Sequence, residues 1–369
     1  MNRLIRWTAA FGAAVLLPLG PAAVATAAPA AGTASARTAD RLVEVPASAA
    51  LDPAVDPSEC GATLFDAYFD EQIGALAADP AVFQFVIDHQ DTLFSVPTYD
   101  ALFFGTAGDP TYALETHGTQ VAHTFRDLRR FWDIDSSDIQ LMEMNGESLL
   151  DADRIARTLT AMVATGEAAP MTEAEIQQEA TTVATYLQSH GDLYDNPLWT
   201  ANAFAFSAEG ETDPLIKDLP DKLIMGKGII EAYDSFGLGD VGPRVIMAHE
   251  FAHHVQYELN AFDNGPSDPA AATRRTELMA DAMATYFATH KKGLSLNAKR
   301  VTDALLSFYT VGDCVFDSPG HHGTPLQRQR AADWGADLAA AARPRSYVLP
   351  AADVIALFEK ALPGIISGS

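Results

Sequence analysis

The most informative stretch of this sequence is His249-Glu250-Phe251-Ala252-His253, and the predicted fold follows from it. On an α-helix, residues four apart differ by about 40° in direction and by about 6 Å in height. His249 and His253 therefore point the same way and can hold one metal ion from one helix face. Glu250 lies about 100° around the helix from His249. From that direction its carboxylate is better placed to reach a water molecule bound to the ion than to bind the ion itself. The stretch predicts a helix with two metal ligands and a candidate general base.

A second stretch, Glu277-Leu278-Met279-Ala280-Asp281, begins 24 positions after the second histidine. Catalytic zinc sites commonly take three protein ligands and leave one position to water, so Glu277 is the candidate third ligand. Asp281, one helical turn later, can accept the free ring N–H of a liganding histidine and fix its tautomer. A downstream histidine is not the third ligand, because Gln256 and Leu259 occupy the positions where the metzincin motif has Gly and His.

The residues around both stretches favour two closely packed helices. Gly242-Pro243 precedes the first helix, where the missing N–H of proline costs nothing, and Lys291-Lys292-Gly293 closes the second. An ordinary solvated helix face is the alternative for such a motif, but Glu250 is the only charged residue between positions 245 and 255. Small side chains beside the ligands allow the helices to approach: Ala248, Ala252, Ala280 and Ala284.

These motifs resemble those of the gluzincin, or thermolysin-like, zinc metallopeptidases, in which the two motif histidines and the Glu of a Glu-x-x-x-Asp helix bind zinc. Residues 202–206 resemble the edge strand that lies over the active site in that group, and residues 223–230 resemble the strand pair that follows. Residues 322–328, His-Gly-Thr-Pro-Leu-Gln-Arg, are similar to a segment of the bacterial neutral zinc metallopeptidases. The resemblance covers about residues 200 to 335. It implies a zincin-like fold with Zn²⁺ as the cofactor.

The same residues predict a zinc metalloendopeptidase that acts on a peptide or protein substrate. Glu250 takes a proton from the attacking water in this reading and returns it to the leaving amine. The tetrahedral intermediate needs a further donor for its oxyanion. His322 is the first candidate for that catalytic role, and His321 and Tyr257 are the alternatives.

Two other functions stay open. One is a catalytically inactive, secreted zinc-binding interaction module, against which Glu250 argues, because a purely structural site needs no base beside the water. The other is a zinc hydrolase of non-peptide amides, which zinc and Glu250 would serve equally well. The three functions differ in what the protein would cleave: a peptidase cleaves proteins, an amide hydrolase cleaves small amides only, and an inactive module cleaves neither.

The N-terminal residues predict export from the cell. Arg3 and Arg6, an apolar run from about residue 9 to 19, and Ala25-Thr26-Ala27 form the three parts of a signal peptide with cleavage after Ala27. An uncleaved anchor is the alternative, although the run is too short to span a bilayer and no other stretch is long and apolar enough. We expect a secreted, extracellular protein.

Charge and cysteines fit that expectation. Removing residues 1–27 takes away Arg3 and Arg6 and no acid, so the net charge goes from -25 to -27, which disfavours nucleic acid and anionic membranes as partners. Cys60 and Cys314 are the only cysteines. A disulfide between them is expected in an oxidising compartment, and two buried thiols are the alternative.

Composition and periodicity predict the domain organisation. Residues 28–58, rich in Ala, Pro, Ser and Thr, predict a flexible leader or linker. Residues 59–135 predict a helical N-terminal region and residues 136–369 a zincin-like metallopeptidase domain. Hydrophobic periodicity predicts helices at 63–78, 80–89, 116–132, 152–165, 172–189, 298–310, 325–342 and 352–362, and strands at 139–144 and near 203 and 224. The expected class is α+β, predominantly helical, with a small sheet and an active-site helix that carries the His-Glu-x-x-His motif. Arg328 and Arg330, near Trp334, are expected to form exposed ion pairs, and pairing with acids of the zinc-binding lobe is the alternative.

Overall fold

The structure is a computed structural model that describes residues 7–9, 64–263, 265–297, 299–301, 303 and 322–368. Cys60, Cys314, His321, the leader at 28–58 and most of the predicted signal peptide lie outside these residues. The described chain is mostly helical. Its helices are α1 (Leu64–Ala77), α2 (Pro80–Phe104), α3 (Gly118–Phe131), α4 (Ala152–Thr165), α5 (Glu173–Gln188), α6 (Lys227–Ser235), α7 (Gly242–Glu258), α8 (Pro269–Thr289), α9 (Pro325–Ala341) and α10 (Ala351–Ser367).

A small sheet lies beside these helices. Its strands are β1 (Trp7–Ala9), β2 (Gln140–Met144), β3 (Ala203–Phe206) and β4 (Lys222–Gly226), in the order β1-β3-β4-β2. β3 runs antiparallel to both β1 and β4, whereas β2 runs parallel to β4. Every residue of β3 and β4 is buried, as is typical of strands covered on both faces. With this sheet in a helical frame, the predicted α+β class is confirmed.

Helix α7 lies at the centre of the largest apolar cluster. All of its residues from Val245 to Tyr257 are buried, because α3 and α8 both pack against it. α8 packs in turn against α9. At that contact a Cβ on Gly335 would lie 2.1 Å from the carbonyl oxygen of Ala282, so the two backbones touch where only glycine fits. A second apolar cluster joins α2, α4 and α5.

Several predicted elements match closely, and α4 spans the predicted residues 152–165. The helix predicted at 80–89 ends where α2 has a kink, because His89 has non-helical backbone angles (φ -122°, ψ 16°), and α2 then continues beyond the prediction to Phe104 through Pro97. A proline inside a helix costs about 3 kcal/mol. Burial of Leu93, Val96 and Leu102 outweighs that cost, since each buried side chain contributes roughly 1.5–3 kcal/mol.

The strand pair predicted at 223–230 is wrong in its second half. β4 ends at Gly226, and residues 227–230 begin α6. Ile229 and Ile230 favour a strand by composition, but both are buried on the helix. A Cβ on Gly228 would lie 1.9 Å from the Pro197 carbonyl oxygen, so glycine permits the close approach of this first helical turn. Most of the helix predicted at 298–310 lies outside the described residues.

No described helix is both long enough and apolar enough to cross a bilayer.

Candidate metal centre

Helices α7 and α8 bring three candidate ligands together. His249 and His253 come from successive turns of α7, and Glu277 comes from the middle of α8. The Nε2 atoms of the two histidines lie 3.2 Å apart. Glu277 Oε2 lies 3.2 Å from His249 Nε2, and Glu277 Oε1 lies 3.4 Å from His253 Nε2. The three side chains are fully buried and form a group that could hold a metal ion.

The distances between these atoms fit a tetrahedral zinc ion. Zinc binds imidazole nitrogen at about 2.0–2.1 Å and carboxylate oxygen at about 2.0–2.2 Å, so neighbouring ligand atoms lie roughly 3.3–3.4 Å apart. Two imidazoles and one carboxylate are also a donor set that zinc accepts in catalytic sites. The residues of this chain therefore fit the metal that the sequence motif implies.

Asp281 makes the contact with a histidine that its position on the helix predicts. Its Oδ1 lies 2.9 Å from His249 Nδ1, the ring nitrogen that faces away from the ligand group. A carboxylate only accepts hydrogen bonds, so His249 Nδ1 carries a hydrogen, and in the neutral, metal-binding form of the ring the lone pair is on Nε2. Asp281 is itself held by Arg328, whose Nε and one terminal nitrogen each lie 2.7 Å from a carboxylate oxygen.

The electrostatics of this group favour a positive charge at its centre. Burial alone would lower the pKa of His249, but Asp281 and Glu277 outweigh burial and raise it to about 10. Burial lowers the pKa of His253 to about 4, and the charge of His249 acts in the same direction. Burial raises the pKa of Glu277, but His253, His322 and His249 outweigh it and bring the pKa well below its ordinary value. The two carboxylates therefore stabilise positive charge at the centre of this group.

Glu250 is buried beside the candidate ligands, and no described side chain pairs with its carboxylate. Among the described residues, neither carboxylate oxygen has a hydrogen-bond partner of good geometry. Burial raises the pKa of Glu250 well above its ordinary value, while the charge of His249 and the backbone N–H of Ala205 act in the opposite direction. A buried carboxylate without a partner is costly, so its presence points to a water molecule or ligand that completes the site.

The candidate oxyanion donors lie in different surroundings. His322 is buried and near enough for its charge to lower the pKa of Glu277. The next residue, Gly323, packs close to Leu278 on α8. Tyr257 lies at the end of α7, where its ring stacks on Phe262 with centroids 4.9 Å apart. The catalytic role of His322 stays a prediction.

Arg328 and Gln256 have closer contacts with the candidate site than their sequence context suggested. Arg328 was expected in an exposed ion pair, but it is fully buried against Asp281 because α9 packs on α8. Arg330 instead donates to the backbone carbonyl of Ile365. Gln256 appeared only as a mismatch to the metzincin motif, yet its Oε1 lies 3.0 Å from His253 Nδ1. The spacing of Gln256, three residues after His253, was the one available signal.

No protein-family model, curated protein or solved structure matches this chain.

Proposed function

We propose that this chain is a secreted zinc metallopeptidase of the gluzincin type. One observation carries the proposal: His249, His253 and Glu277 converge at separations of 3.2–3.4 Å, with the carboxylate of Glu250 buried beside them. Tetrahedral zinc requires that spacing, and hydrolysis requires a base next to the metal. The motif residues and the order of β3, β4, α7 and α8 support the zincin-like reading.

Glu250 has the properties of a general base. When bound by His249, His253 and Glu277, zinc supplies a polarised substrate carbonyl and a water molecule of lowered pKa. Burial raises the pKa of Glu250, which makes its carboxylate a stronger base toward that water. The protonated Glu250 then returns the proton to the leaving amine. Asp281 keeps His249 in its metal-binding tautomer meanwhile.

Strand β3 offers a binding surface for an extended peptide. It pairs with β4 on one side, and its Ala205 N–H lies near Glu250. Its other side pairs with β1, whose residues fall inside the predicted signal peptide. A chain without residues 1–27 would leave that edge of β3 unpaired, and an extended substrate can add to such an edge through main-chain hydrogen bonds.

An inactive zinc-binding module is the second candidate function. The full burial of His249, His253 and Glu277 favours it, because a buried ion is less open to a substrate than an exposed one. Glu250 argues against it. A structural site gains nothing from a third buried carboxylate that has no hydrogen-bond partner of good geometry among the described residues, which costs roughly 1–3 kcal/mol or more.

The test is cleavage of a mixed peptide library by residues 28–369, with and without a zinc chelator. Glu250→Gln is compared with Glu258→Gln, which alters an exposed carboxylate at the end of the same helix. We expect the parent and Glu258→Gln to cleave, with activity lost on chelation and reduced at least about 100-fold in Glu250→Gln. A folded, zinc-loaded protein that cleaves no peptide would overturn the proposal. Small non-peptide amides are tested beside the library, and cleavage of these amides alone would indicate an amide hydrolase instead.

A further inference from the structure

We propose that Gln256 is a positioning residue that holds His253 in its metal-binding tautomer and ties it to the helix of the third ligand. This inference rests on the proposed metal-dependent function. Gln256 lies on α7 and is fully buried. Its Oε1 lies 3.0 Å from His253 Nδ1, and its Nε2 donates to the carbonyl oxygen of Thr276 at 2.8 Å.

The chemistry of the two contacts fixes the orientation of the Gln256 amide. The Thr276 carbonyl can only accept a hydrogen bond, so the NH₂ group of Gln256 must face it. The amide oxygen then faces His253, and an amide oxygen can also only accept. His253 Nδ1 must therefore carry the hydrogen, which leaves the lone pair on Nε2. That atom lies 3.2 Å from His249 Nε2 and 3.4 Å from Glu277 Oε1.

The same side chain links the backbones of the two ligand helices. Thr276 directly precedes Glu277 on α8. Through Gln256, the position of the His253 ring is set relative to the backbone that carries the third ligand. Asp281 makes the reverse connection, since it reaches from α8 to His249 on α7. Each imidazole is thus oriented by one buried polar side chain, and both of these side chains bridge α7 and α8.

Substitutions separate positioning from simple space filling. Gln256→Met keeps about the same volume but removes both contacts. Gln256→Glu keeps an oxygen that accepts from His253 Nδ1 and loses the donor to Thr276. If Gln256 only fills space, the apolar Met is tolerated and the buried charge of Glu is the more damaging change. If Gln256 positions His253, the order is reversed, because Glu still selects the same tautomer.

The first readout is the Zn²⁺ affinity of residues 28–369, measured by competition with a chromophoric chelator. We expect Gln256→Met to weaken Zn²⁺ binding about 10–100-fold and Gln256→Glu to recover most of that loss. Gln178→Met, on the surface of α5, is the matched control and should bind Zn²⁺ like the parent. Equal affinity of Gln256→Met and the parent would overturn the inference.

The second readout is the tautomer itself, from long-range ¹⁵N–¹H NMR spectra of histidine-labelled, Zn²⁺-loaded protein. We expect His253 to show a protonated Nδ1 and an unprotonated, metal-bound Nε2. Binding of zinc through Nδ1 would contradict the inference even if a variant failed to fold. A parent protein that binds no Zn²⁺ would instead overturn the proposed function. If the parent binds Zn²⁺ and cleaves peptides, and Gln256→Met does both equally well, only the proposed role of Gln256 is overturned.

Discussion

At the scale of single residues, the guanidinium of Arg328 connects α9 to the ligand group. Both partners of its two bonds to Asp281 are fully buried. Removing one partner of a buried ion pair leaves an uncompensated charge, which costs about 3–5 kcal/mol. We expect Arg328→Met to lower the free energy of unfolding by that amount in urea denaturation. Arg328→Lys should recover only part, because lysine cannot make two parallel bonds to one carboxylate.

Arg330→Met, on the same helix, is the control for the Arg328 variants. Arg330 is half-buried and donates to backbone carbonyls at the end of α10, so we expect a loss of only about 1 kcal/mol. Equal losses for Met at the two positions would show that the pair with Asp281 adds nothing to stability. Such a result would contradict the account of how His249 is held.

Glu143 on β2 is a second informative residue, because burial raises its pKa to about 7. The backbone N–H of Glu115 and the charge of Lys227 oppose that shift, whereas the charges of Glu115 and Glu231 add to it. A folded pKa above the unfolded value means that the folded state binds the extra proton between about pH 4.5 and 7. The contribution of Glu143 to stability is therefore best at low pH and is lost as the pH rises through 7.

We expect Glu143→Gln to be more stable than the parent at pH 8, by up to about 3 kcal/mol, and to match it near pH 4.5. The amide oxygen can still accept the Glu115 N–H, so the main contact is kept. Denaturation midpoints across this pH range measure the difference. Glu147→Gln, an exposed neighbour, should show no such trend. A constant difference between parent and Glu143→Gln at all pH values would refute the buried-carboxylate explanation.

At the scale of elements, the candidate metal centre depends on the packing of α8 between α7 and α9. Gly335 of α9 touches the backbone of α8 at Ala282, next to Asp281. We expect Gly335→Ala to push α9 away and to lower the free energy of unfolding by about 1–3 kcal/mol, with weaker metal binding because Arg328 moves with α9. Thermal denaturation and Zn²⁺ competition measure the two effects.

Gly74→Ala on α1 is the control for that substitution. A Cβ at Gly74 meets nothing within 4 Å, so alanine should stabilise this helix by about 0.5–1 kcal/mol. If Gly335→Ala were as stable as the parent, the close approach of α8 and α9 would not matter for the fold.

Local sequence patterns predict most helices of the described chain, but they do not predict which helices pack against each other. The 3.6-residue period and the cap residues give α4, α5 and α9 nearly to the residue, because these signals act within one helix. The same rules miss the second half of α2 and the whole of α6. There, burial in the apolar clusters outweighs Pro97 in α2 and the strand-like pair Ile229-Ile230 in α6.

The residues of the candidate site also fall into two groups, those that local spacing predicts and those that depend on packing between helices. His249, His253, Glu250, Glu277 and Asp281 follow from spacing on two helices, since ligand geometry repeats with the helical turn. Arg328 does not, because its partner Asp281 lies 47 positions earlier and is reached only when α9 packs on α8. Gln256 is also hidden, because its second partner is a backbone carbonyl, which no side-chain pattern encodes.

At the scale of the whole molecule, the described chain is arranged so that three helices complete one centre. α7 supplies two candidate ligands and the proposed base, α8 supplies the third candidate ligand and Asp281, and α9 supplies Arg328. Glu250, Glu277 and Asp281 are all buried near the guanidinium of Arg328, so a divalent cation would balance the charges of these four groups. Binding to the folded state alone would also stabilise the molecule, by about 4 kcal/mol at a metal concentration 1,000 times the Kd.

The most direct measurement is the metal content of residues 28–369 after purification and exhaustive dialysis, by elemental mass spectrometry. We expect one zinc ion per chain in the parent and in Glu250→Gln, and almost none in Glu277→Ala, because Glu277 is a proposed ligand and Glu250 is not. A folded parent without a bound metal, or an equal zinc content in Glu277→Ala, would contradict this expectation.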